Sequence, residues 1–330
     1  MLSASRVRNA LVVGFLVVSG FEPVSSQDLP DLGAGAVECC LQLLFPVGAR
    51  AVGLGNALTA RSGPDALFVN PAGLARLRRD EFRIHNADTE LESSNAFALA
   101  FRIRGAGVLG LSYRLIDYGE SQATDIFGNP TGTLRSLEHF LVATFATVMS
   151  PGLAAGISYR IFQFRHDCSG FCEGGSFAAT THAVDLGMQY HPGLWPALQL
   201  GASLTHLGVP LQVLNAEQAD PTPTRVRAGA AYELMHHFSR DTTTAIWASM
   251  DVSGSWRAGV ETRLGGGLEL ILDETIFVRA GYAMGRGRDA GAGVGVGLRY
   301  DRFELGIARS FVGAASGGQD PFQITFAVGF

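Results

Sequence analysis

The feature that most constrains this chain is an alternation of apolar with polar or small residues, which recurs from about residue 81 to the C-terminus. Side chains of a β-strand point to opposite faces with a period of two, so the alternation predicts strands with one apolar face. It is clearest over residues 97–104, 109–115, 184–190, 198–204 and 293–300. The chain is therefore predicted to be all-β, and the periodicity alone fits either a soluble sandwich or a membrane barrel.

The N-terminus has the composition of a secretory signal peptide. Arg6 and Arg8 precede an apolar run from Ala10 to Gly20, and small residues follow as far as Ser26. We predict cleavage after Ser26, because a basic, an apolar and a small-residue stretch in this order is typical of a signal peptide. The apolar run is too short to span a bilayer as a helix, and no later run reaches about eighteen apolar residues. Membrane insertion would therefore require a closed β-barrel.

The last strand favours the barrel over the sandwich. Phe322, Ile324, Phe326 and Val328 share one face, and the chain ends on Phe330. This resembles the C-terminal strand that the outer-membrane assembly machinery of bacteria reads, and a soluble domain has no comparable need for a terminal aromatic residue. We therefore predict a barrel in the outer membrane of a Gram-negative-type bacterium, in contact with its lipid and with the assembly machinery, and with Phe330 as part of the assembly signal.

Turn residues divide the region 81–330 into about fourteen strands. They are predicted near 81–88, 94–105, 107–117, 135–149, 152–166, 180–191, 197–207, 224–234, 242–253, 256–272, 275–284, 290–300, 302–311 and 321–330. Tight turns alternate with longer connections at 118–134, 167–179, 208–223 and 312–320, as in outer-membrane barrels. One connection, Gly254-Ser255, is short where a long one is expected. Because the number of strands is even, both termini of the chain are expected on the periplasmic side.

Many charged residues fall on the inward face of these strands. The inward set is predicted to comprise Arg102, Arg104, Arg114, Arg160, Arg225, Arg227, Arg257, Arg263, Arg279 and Arg299 with Asp185, Glu233, Asp251 and Glu261. An internal network of ion pairs is the favoured interpretation, because charges that face away from lipid are normal in a barrel. A path for an anionic solute is the alternative, and the interleaved carboxylates disfavour it.

The stretch before the first strand is rich in glycine and contains three short motifs. They are Gly-Ala-Arg-Ala at Gly48–Ala51, Gly-x-Gly-x-Ala at Gly53–Ala57 and Asn-Pro-Ala-Gly-Leu at Asn70–Leu74. A residue before proline is held out of the α region, and Pro71 is well placed at the start of a helix. We therefore predict a short helix over 72–77.

These motifs, in this order and ahead of a series of strands, resemble the N-terminal signature of the PorV/PorQ family of outer-membrane barrels, which is related to the FadL fatty-acid transporters. The residues that carry the resemblance are Gly48, Arg50, Gly53, Gly55, Asn70, Pro71, Ala72, Gly73 and Leu74. At Ser62-Gly63-Pro64 the chain departs from the acidic, small-residue run of that family. The resemblance implies about fourteen strands and a hatch inside the lumen. The expected parts are thus a signal peptide at 1–26, a hatch at 27–80 and a barrel at 81–330.

Two classes of function follow from the resemblance. A PorV-like barrel would be a scaffold or shuttle in type IX-like protein secretion, with the translocon and exported proteins as partners. A FadL-like barrel would transport hydrophobic small molecules such as fatty acids or aromatic compounds. The short chain and its modest external loops favour the scaffold, with the Asn70–Leu74 motif fixing the hatch rather than binding a substrate.

Other activities lack support in the sequence. No GxSxG or HExxH motif is present, so we expect neither an enzyme nor a cofactor or metal. The net charge of −5 without a basic stripe argues against nucleic acid as a partner.

The four cysteines suit an oxidising compartment. Cys168 and Cys172 enclose three residues, and we predict a disulfide between them in an external loop. Free thiols and a zinc site are the alternatives, and zinc is disfavoured because only His166 lies beside the pair. Cys39 and Cys40 are adjacent, so they are either reduced or one of them reaches another partner.

Overall fold

A computed structural model describes residues 38–89, 92–172, 174–213, 219–237, 243–256, 262–285, 291–312 and 322–330. The predicted signal peptide, 1–26, and the first part of the predicted hatch, 27–37, lie outside the described residues. Fourteen antiparallel strands form one closed barrel, in which each strand pairs with its neighbours in sequence and the first pairs with the last. The prediction of an all-β barrel of about fourteen strands is confirmed.

The strands have the following bounds: β1 Glu81–Asp88, β2 Ser93–Ile103, β3 Gly107–Thr124, β4 Pro130–Ser150, β5 Leu153–Gly170, β6 Phe177–Tyr190, β7 Leu198–Gly208, β8 Arg225–Glu233, β9 Thr244–Ser255, β10 Arg263–Leu272, β11 Ile276–Met284, β12 Gly291–Tyr300, β13 Phe303–Val312 and β14 Phe322–Gly329. The connections after even-numbered strands lie at one end of the barrel, which we call the turn end. Those after odd-numbered strands lie at the other, the loop end. In outer-membrane barrels the longer connections face the outside.

The predicted boundaries are wrong for strands β3, β4 and β5, which are longer than expected. The predicted long connection at 118–134 is a paired hairpin, closed by a turn in which Asp125 Oδ1 accepts from the backbone N–H of Asn129 at 2.9 Å. The connection at 167–179 likewise shrinks to 171–176. Beyond Asp117 the alternation fades because a bulge shifts the register there, and ladder hydrogen bonds continue without an apolar face.

Strand β10 is shorter than predicted. It begins at Arg263, whereas the prediction began it at 256, and Gly254 and Ser255 belong to β9. The connection after β9 therefore covers 256–262, and the short external connection expected at Gly254-Ser255 does not occur. The predicted boundary was wrong because apolar and polar residues also alternate locally around Trp256.

The outer face of the barrel is apolar. Exposed side chains on it include Phe97, Leu111, Leu141, Phe145, Ile157, Leu186, Met188, Leu268, Val278, Val296, Leu305, Ile324 and Phe326. An apolar surface of this extent on a closed barrel has to be covered by lipid. The chain is thus an outer-membrane barrel, as predicted. Among the described residues, no helix is long and apolar enough to cross a bilayer.

Residues 38–80, which we call the inner segment, lie inside the barrel. The segment contains the helix α1, Ala49–Gly53, and 3₁₀ helices at Leu41–Leu44, Pro64–Phe68 and Pro71–Arg76. The last of these replaces the helix predicted over 72–77. Helix α1 contacts β11 to β14, and the Pro71–Arg76 helix contacts β3 to β6, on another part of the wall. The inner segment therefore occupies the lumen.

Both cysteine pairs are disulfides. Cys168 and Cys172 are joined at the loop end, where β5 finishes. Cys39 and Cys40, for which the sequence suggested reduction or another partner, are joined to each other. Cys39 packs in an apolar cluster with Phe140, Phe162 and other wall residues at the loop end.

Candidate functional site

Asn70 fastens the inner segment to the barrel wall. Its buried amide Nδ2 donates to the carbonyl of Thr59 at 2.7 Å and to the carbonyl of Met188 in β6 at 3.0 Å. Its Oδ1 accepts from the N–H of Ala72 at 3.1 Å and so caps the Pro71–Arg76 helix. One side chain thereby joins two parts of the inner segment to one strand.

The glycines of the three motifs and of the facing wall allow this close packing. A Cβ at Gly187 of β6 would lie 2.0 Å from Asn70 Oδ1, and one at Gly73 would lie 2.4 Å from the Cβ of Ala66. Gly55 packs in the same way on the backbone of Tyr282 in β11. These contacts place the motif residues between the inner segment and the wall. The structural role of the motifs stays a prediction.

A buried carboxylate, Glu269 of β10, binds three guanidinium groups. Its oxygens accept from Arg50 at 3.1 and 3.0 Å, from Arg61 at 2.6 Å and from Arg279 of β11 at 2.9 Å. The first two arginines belong to the inner segment, so this cluster ties the segment to the wall. Glu269 was not among the residues predicted to face inward, although it has the inward parity of Gly265 and Gly267 in the same strand.

A second cluster surrounds Arg83 of β1. Arg83 pairs with Glu81, with Asp65 of the inner segment at 3.0 Å and with Glu304 of β13 at 3.7 Å. Glu304 also pairs with Arg299 at 2.6 Å. Of these residues, only Arg299 was predicted from the sequence to face the lumen. The alternating run Glu81, Arg83, His85 was the signal that would have indicated an inward polar face.

Most arginines of the predicted inward set have buried partners. Arg114 donates to Ser94 and to the carbonyl of Gln42, Arg160 pairs with Asp185, Arg225 with Glu38, Arg227 with Asp251 and Arg279 with Glu269. Arg263 lines the cavity described below, and Glu233 is half-buried at the turn end of β8. Arg257 and Glu261 lie outside the described residues.

Two predicted inward arginines lie elsewhere. Arg104 is exposed in the β2–β3 turn, because β2 ends at Ile103 and the alternation does not continue through the turn. Arg102 keeps its inward parity but lies at the rim, where it donates to Asp80 at 2.8 Å. The backbone N–H of Arg102 donates to the same carboxylate, and the two hydrogen bonds lower the pKa of Asp80. The pair marks the point where the inner segment joins β1.

A cavity of about 50 Å³ opens at the loop end. Apolar residues form one part of its lining, among them Leu43, Phe45, Val47, Phe68 and Val69. Polar side chains form the other, namely Asn56, Thr205, His206, Arg225, Arg227, Asp251, Ser253 and Arg263. An engineered protein cavity that binds benzene has about 150 Å³. The cavity is therefore narrow for an aromatic compound.

Apolar contacts continue from this cavity to the turn end, with Phe68 at their junction. Phe68 packs against a cluster that contains Leu54 and Val69, and also against a second one with Leu67, Leu74 and Val108. Phe68 and Val69 line the loop-end cavity. An open space at the turn end is lined by residues of the second cluster, including Leu77 and Val108. An apolar route made of packed side chains thus connects the loop-end cavity with the space at the turn end, which Asp80, Arg102 and Arg104 also line.

No group of three or more His, Cys, Asp or Glu side chains that would suit a metal ion occurs in the described part of the chain. No protein-family model and no curated protein matches the sequence.

Solved structures do match. The toluene transporter TbuX of Ralstonia pickettii has a TM-score of 0.56 and 14% identity, with 86% of this chain and 98% of that chain covered. The monoaromatic hydrocarbon channel CymD has a TM-score of 0.56 and 13% identity, with 89% and 99% covered. A Pseudomonas aeruginosa FadL homologue has a TM-score of 0.51 and 10% identity, with 87% and 99% covered. At such identities the likeness establishes the fold, and this chain has the fold of the FadL-like outer-membrane barrels.

Proposed function

We propose that this barrel passes small hydrophobic compounds across the outer membrane. The observation that carries the proposal is the apolar route through Phe68, which links the loop-end cavity to the space at the turn end. The fold shared with a toluene transporter and a monoaromatic hydrocarbon channel supports it. Apolar compounds gain about 25 cal/mol per Å² of surface removed from water, which favours such a route over the aqueous phase.

In this proposal the inner segment is a hatch, as part of residues 27–80, and the structure is its closed state. A compound first meets the loop-end cavity and displaces the apolar stretch Leu43–Val47. Passage then requires movement at Phe68, whereas the Glu269 cluster keeps the charged groups of the lumen paired. The proposal assigns the chain transport rather than catalysis, and insertion by the barrel assembly machinery with Phe330 as a signal.

Uptake measurements test the proposal. Cells that lack their own hydrocarbon channels and express this protein should take up radiolabelled p-xylene several-fold faster than cells without it. Replacing Phe68→Trp should lower that rate by narrowing the junction, and Phe68→Ala should raise it. Phe97→Trp, on the lipid-facing side of β2, is the matched control and should behave as the wild type. Equal uptake with and without the protein would refute the proposal.

A second candidate function rests on a different observation, the three N-terminal motifs. They support a PorV-like scaffold that associates with a type IX-like translocon and exported proteins. Purification from native membranes in gentle detergent distinguishes the two functions. Stoichiometric copurification of exported proteins, together with p-xylene uptake that does not depend on Phe68, would favour the scaffold over the channel.

A further inference from the structure

Three hydrogen-bond acceptors in the loop-end cavity have no donor among the described residues. They are Oδ1 of Asn56, Oδ1 of Asp251 and Nε2 of His206, and each is buried. All three residues line the same cavity. Buried polar atoms in proteins are almost always paired, so three orphans around one cavity point to a group that the cavity is built to receive.

The type of group follows from the chemistry of these atoms. The Nδ1 of His206 lies 3.3 Å from the carbonyl of Pro223, which only accepts, so Nδ1 carries the proton and Nε2 of the neutral ring is an acceptor. Asp251 is paired through Oδ2 with Thr59 and Arg227, and its Oδ1 is a carboxylate oxygen. The amide Oδ1 of Asn56 is an acceptor as well. The cavity therefore suits a ligand that donates a hydrogen bond.

The charges around the cavity narrow the class further. Arg225, Arg227 and Arg263 line it and disfavour an ammonium group. A carboxylate ligand would set its own acceptor oxygens against the three orphan acceptors. A neutral hydroxyl group satisfies both conditions, and the apolar lining on the side of Phe68 and Val69 suits the body of such a molecule.

Resting on the function proposed above, we propose that the loop-end cavity selects neutral, hydroxyl-bearing apolar compounds, of which phenols are the simplest, over plain hydrocarbons of the same shape. The hydroxyl donates to the acceptors of Asn56, Asp251 or His206 in the cavity of about 50 Å³, and displacement of Leu43–Val47 makes room for the ring on the apolar lining. A hydrocarbon leaves these acceptors unpaired, so it binds more weakly by about tenfold or more.

A pair of isosteric probes tests this inference. p-Cresol and p-xylene differ only in that p-cresol has a hydroxyl group where p-xylene has a second methyl group. In p-toluate a carboxylate stands at the same position. Equilibrium dialysis of each radiolabelled probe against the purified barrel in micelles, with empty micelles as the blank, gives its saturable binding. We expect p-cresol to bind about tenfold more tightly than p-xylene and p-toluate to bind most weakly.

A variant locates the effect. Asn56 has a φ of 61°, a conformation that glycine adopts freely, so Asn56→Gly removes the amide without backbone strain. The variant should lose several-fold in p-cresol affinity and nothing in p-xylene affinity. Asn129→Gly, in the external β3–β4 turn, is the matched control, and the shift in gel migration on boiling verifies that each variant folds.

The outcomes separate this inference from the proposed function. If p-xylene is taken up through Phe68 but binds as tightly as p-cresol, the preference is refuted and the channel stands. If neither probe binds saturably while uptake persists, the three acceptors hold only water, and the inference is again refuted. If expression of the protein changes the uptake of neither probe, the channel itself is wrong.

Discussion

The two halves of the inner segment differ in how the barrel holds them. Residues 48–80 are mostly buried and carry the anchors to the wall, Asn70, Arg50 and Arg61. Of the ten residues 38–47, three are buried, and they are held at the loop end by contacts such as the ion pair of Glu38 with Arg225 at 2.6 Å. On the proposed function, residues 48–80 form the barrier to passage, and residues 38–47 form the adaptable part of the cavity lining.

This difference has a physical basis. The 48–80 half meets the wall through carboxylates and amides that are nine-tenths or more buried, where an unpaired partner is costly. The 38–47 half meets it through the polar groups of Glu38 and Gln42 and through apolar side chains such as Cys39 and Leu43, whose contacts are non-directional and can be exchanged for those of a ligand. The inner segment can thus close the lumen with residues 48–80 while residues 38–47 change their contacts.

The largest effect is expected at Glu269. Glu269→Gln removes the carboxylate and leaves three guanidinium groups buried around a neutral amide, a loss of about 3–5 kcal/mol for a broken buried pair. The 48–80 half should become protease-sensitive, and the temperature at which the folded band is lost on gels should fall. Glu274→Gln, whose carboxylate pairs with Arg78 in the exposed β10–β11 turn, is the control and should change neither. An unaltered protease pattern in Glu269→Gln would mean that the cluster does not hold the segment.

Asn70 comes next. Asn70→Ala leaves the carbonyls of Thr59 and Met188 without this donor and removes the cap of the Pro71–Arg76 helix, at a cost of about 2–3 kcal/mol. The barrel should still assemble, while small-solute leakage and cleavage between Gly48 and Asp80 increase. Asn95→Ala, which removes an amide contact between β1 and β2, is the control. A variant that stays sealed but loses a copurified ligand or exported protein would make the motif a recognition site.

The sequence was a good guide to the wall of the barrel because strand alternation is local. The number of strands and the inward parity of Arg114, Arg160 and Arg279 follow from a period of two within each strand. The extensions of β3 to β5 were missed because a hairpin that is wet on both faces has no such pattern.

Contacts between the inner segment and the wall were far less predictable. Glu269 and Arg50 are 219 residues apart in the chain, and Asn70 and Met188 are 118 apart. Parity shows that a residue faces the lumen and does not show what it meets there. The Asn70-Pro71 pair indicated the start of a helix. It did not indicate the hydrogen bond from Asn70 to β6, which depends on the space left by Gly187, a residue without a side chain.

A smaller effect is expected at Arg225. Arg225→Gln frees Glu38 and should loosen only residues 38–47, by about 1–2 kcal/mol, because one hydrogen-bonded ion pair of the loop end is lost. Hydrogen exchange followed by mass spectrometry should speed up in 38–47 and stay unchanged in 48–80. Faster exchange in both halves would show that they open as one unit, and it would contradict the conclusion that the barrel holds residues 38–47 and 48–80 separately.

The smallest effect is expected for the Cys168–Cys172 disulfide, which lies at the loop end outside both halves. Closing a ring of five residues restricts the unfolded chain by about 2 kcal/mol in the loop-entropy model. In the folded protein other contacts order the same loop, because Gly170 pairs with Gly132 and the N–H of Phe171 donates to Thr131 at 3.0 Å, so loss of the bond should leave the folded hairpin in place. Mass spectrometry of unreduced peptides should find the bond. The double variant Cys168→Ser with Cys172→Ser should lose no more than about 2 kcal/mol of stability. Its effect on the inner segment should be the smallest, because leakage and exchange should stay those of the wild type. Increased leakage would instead connect the external hairpins to the closure of the lumen, and the loop end would then contribute to the barrier as well.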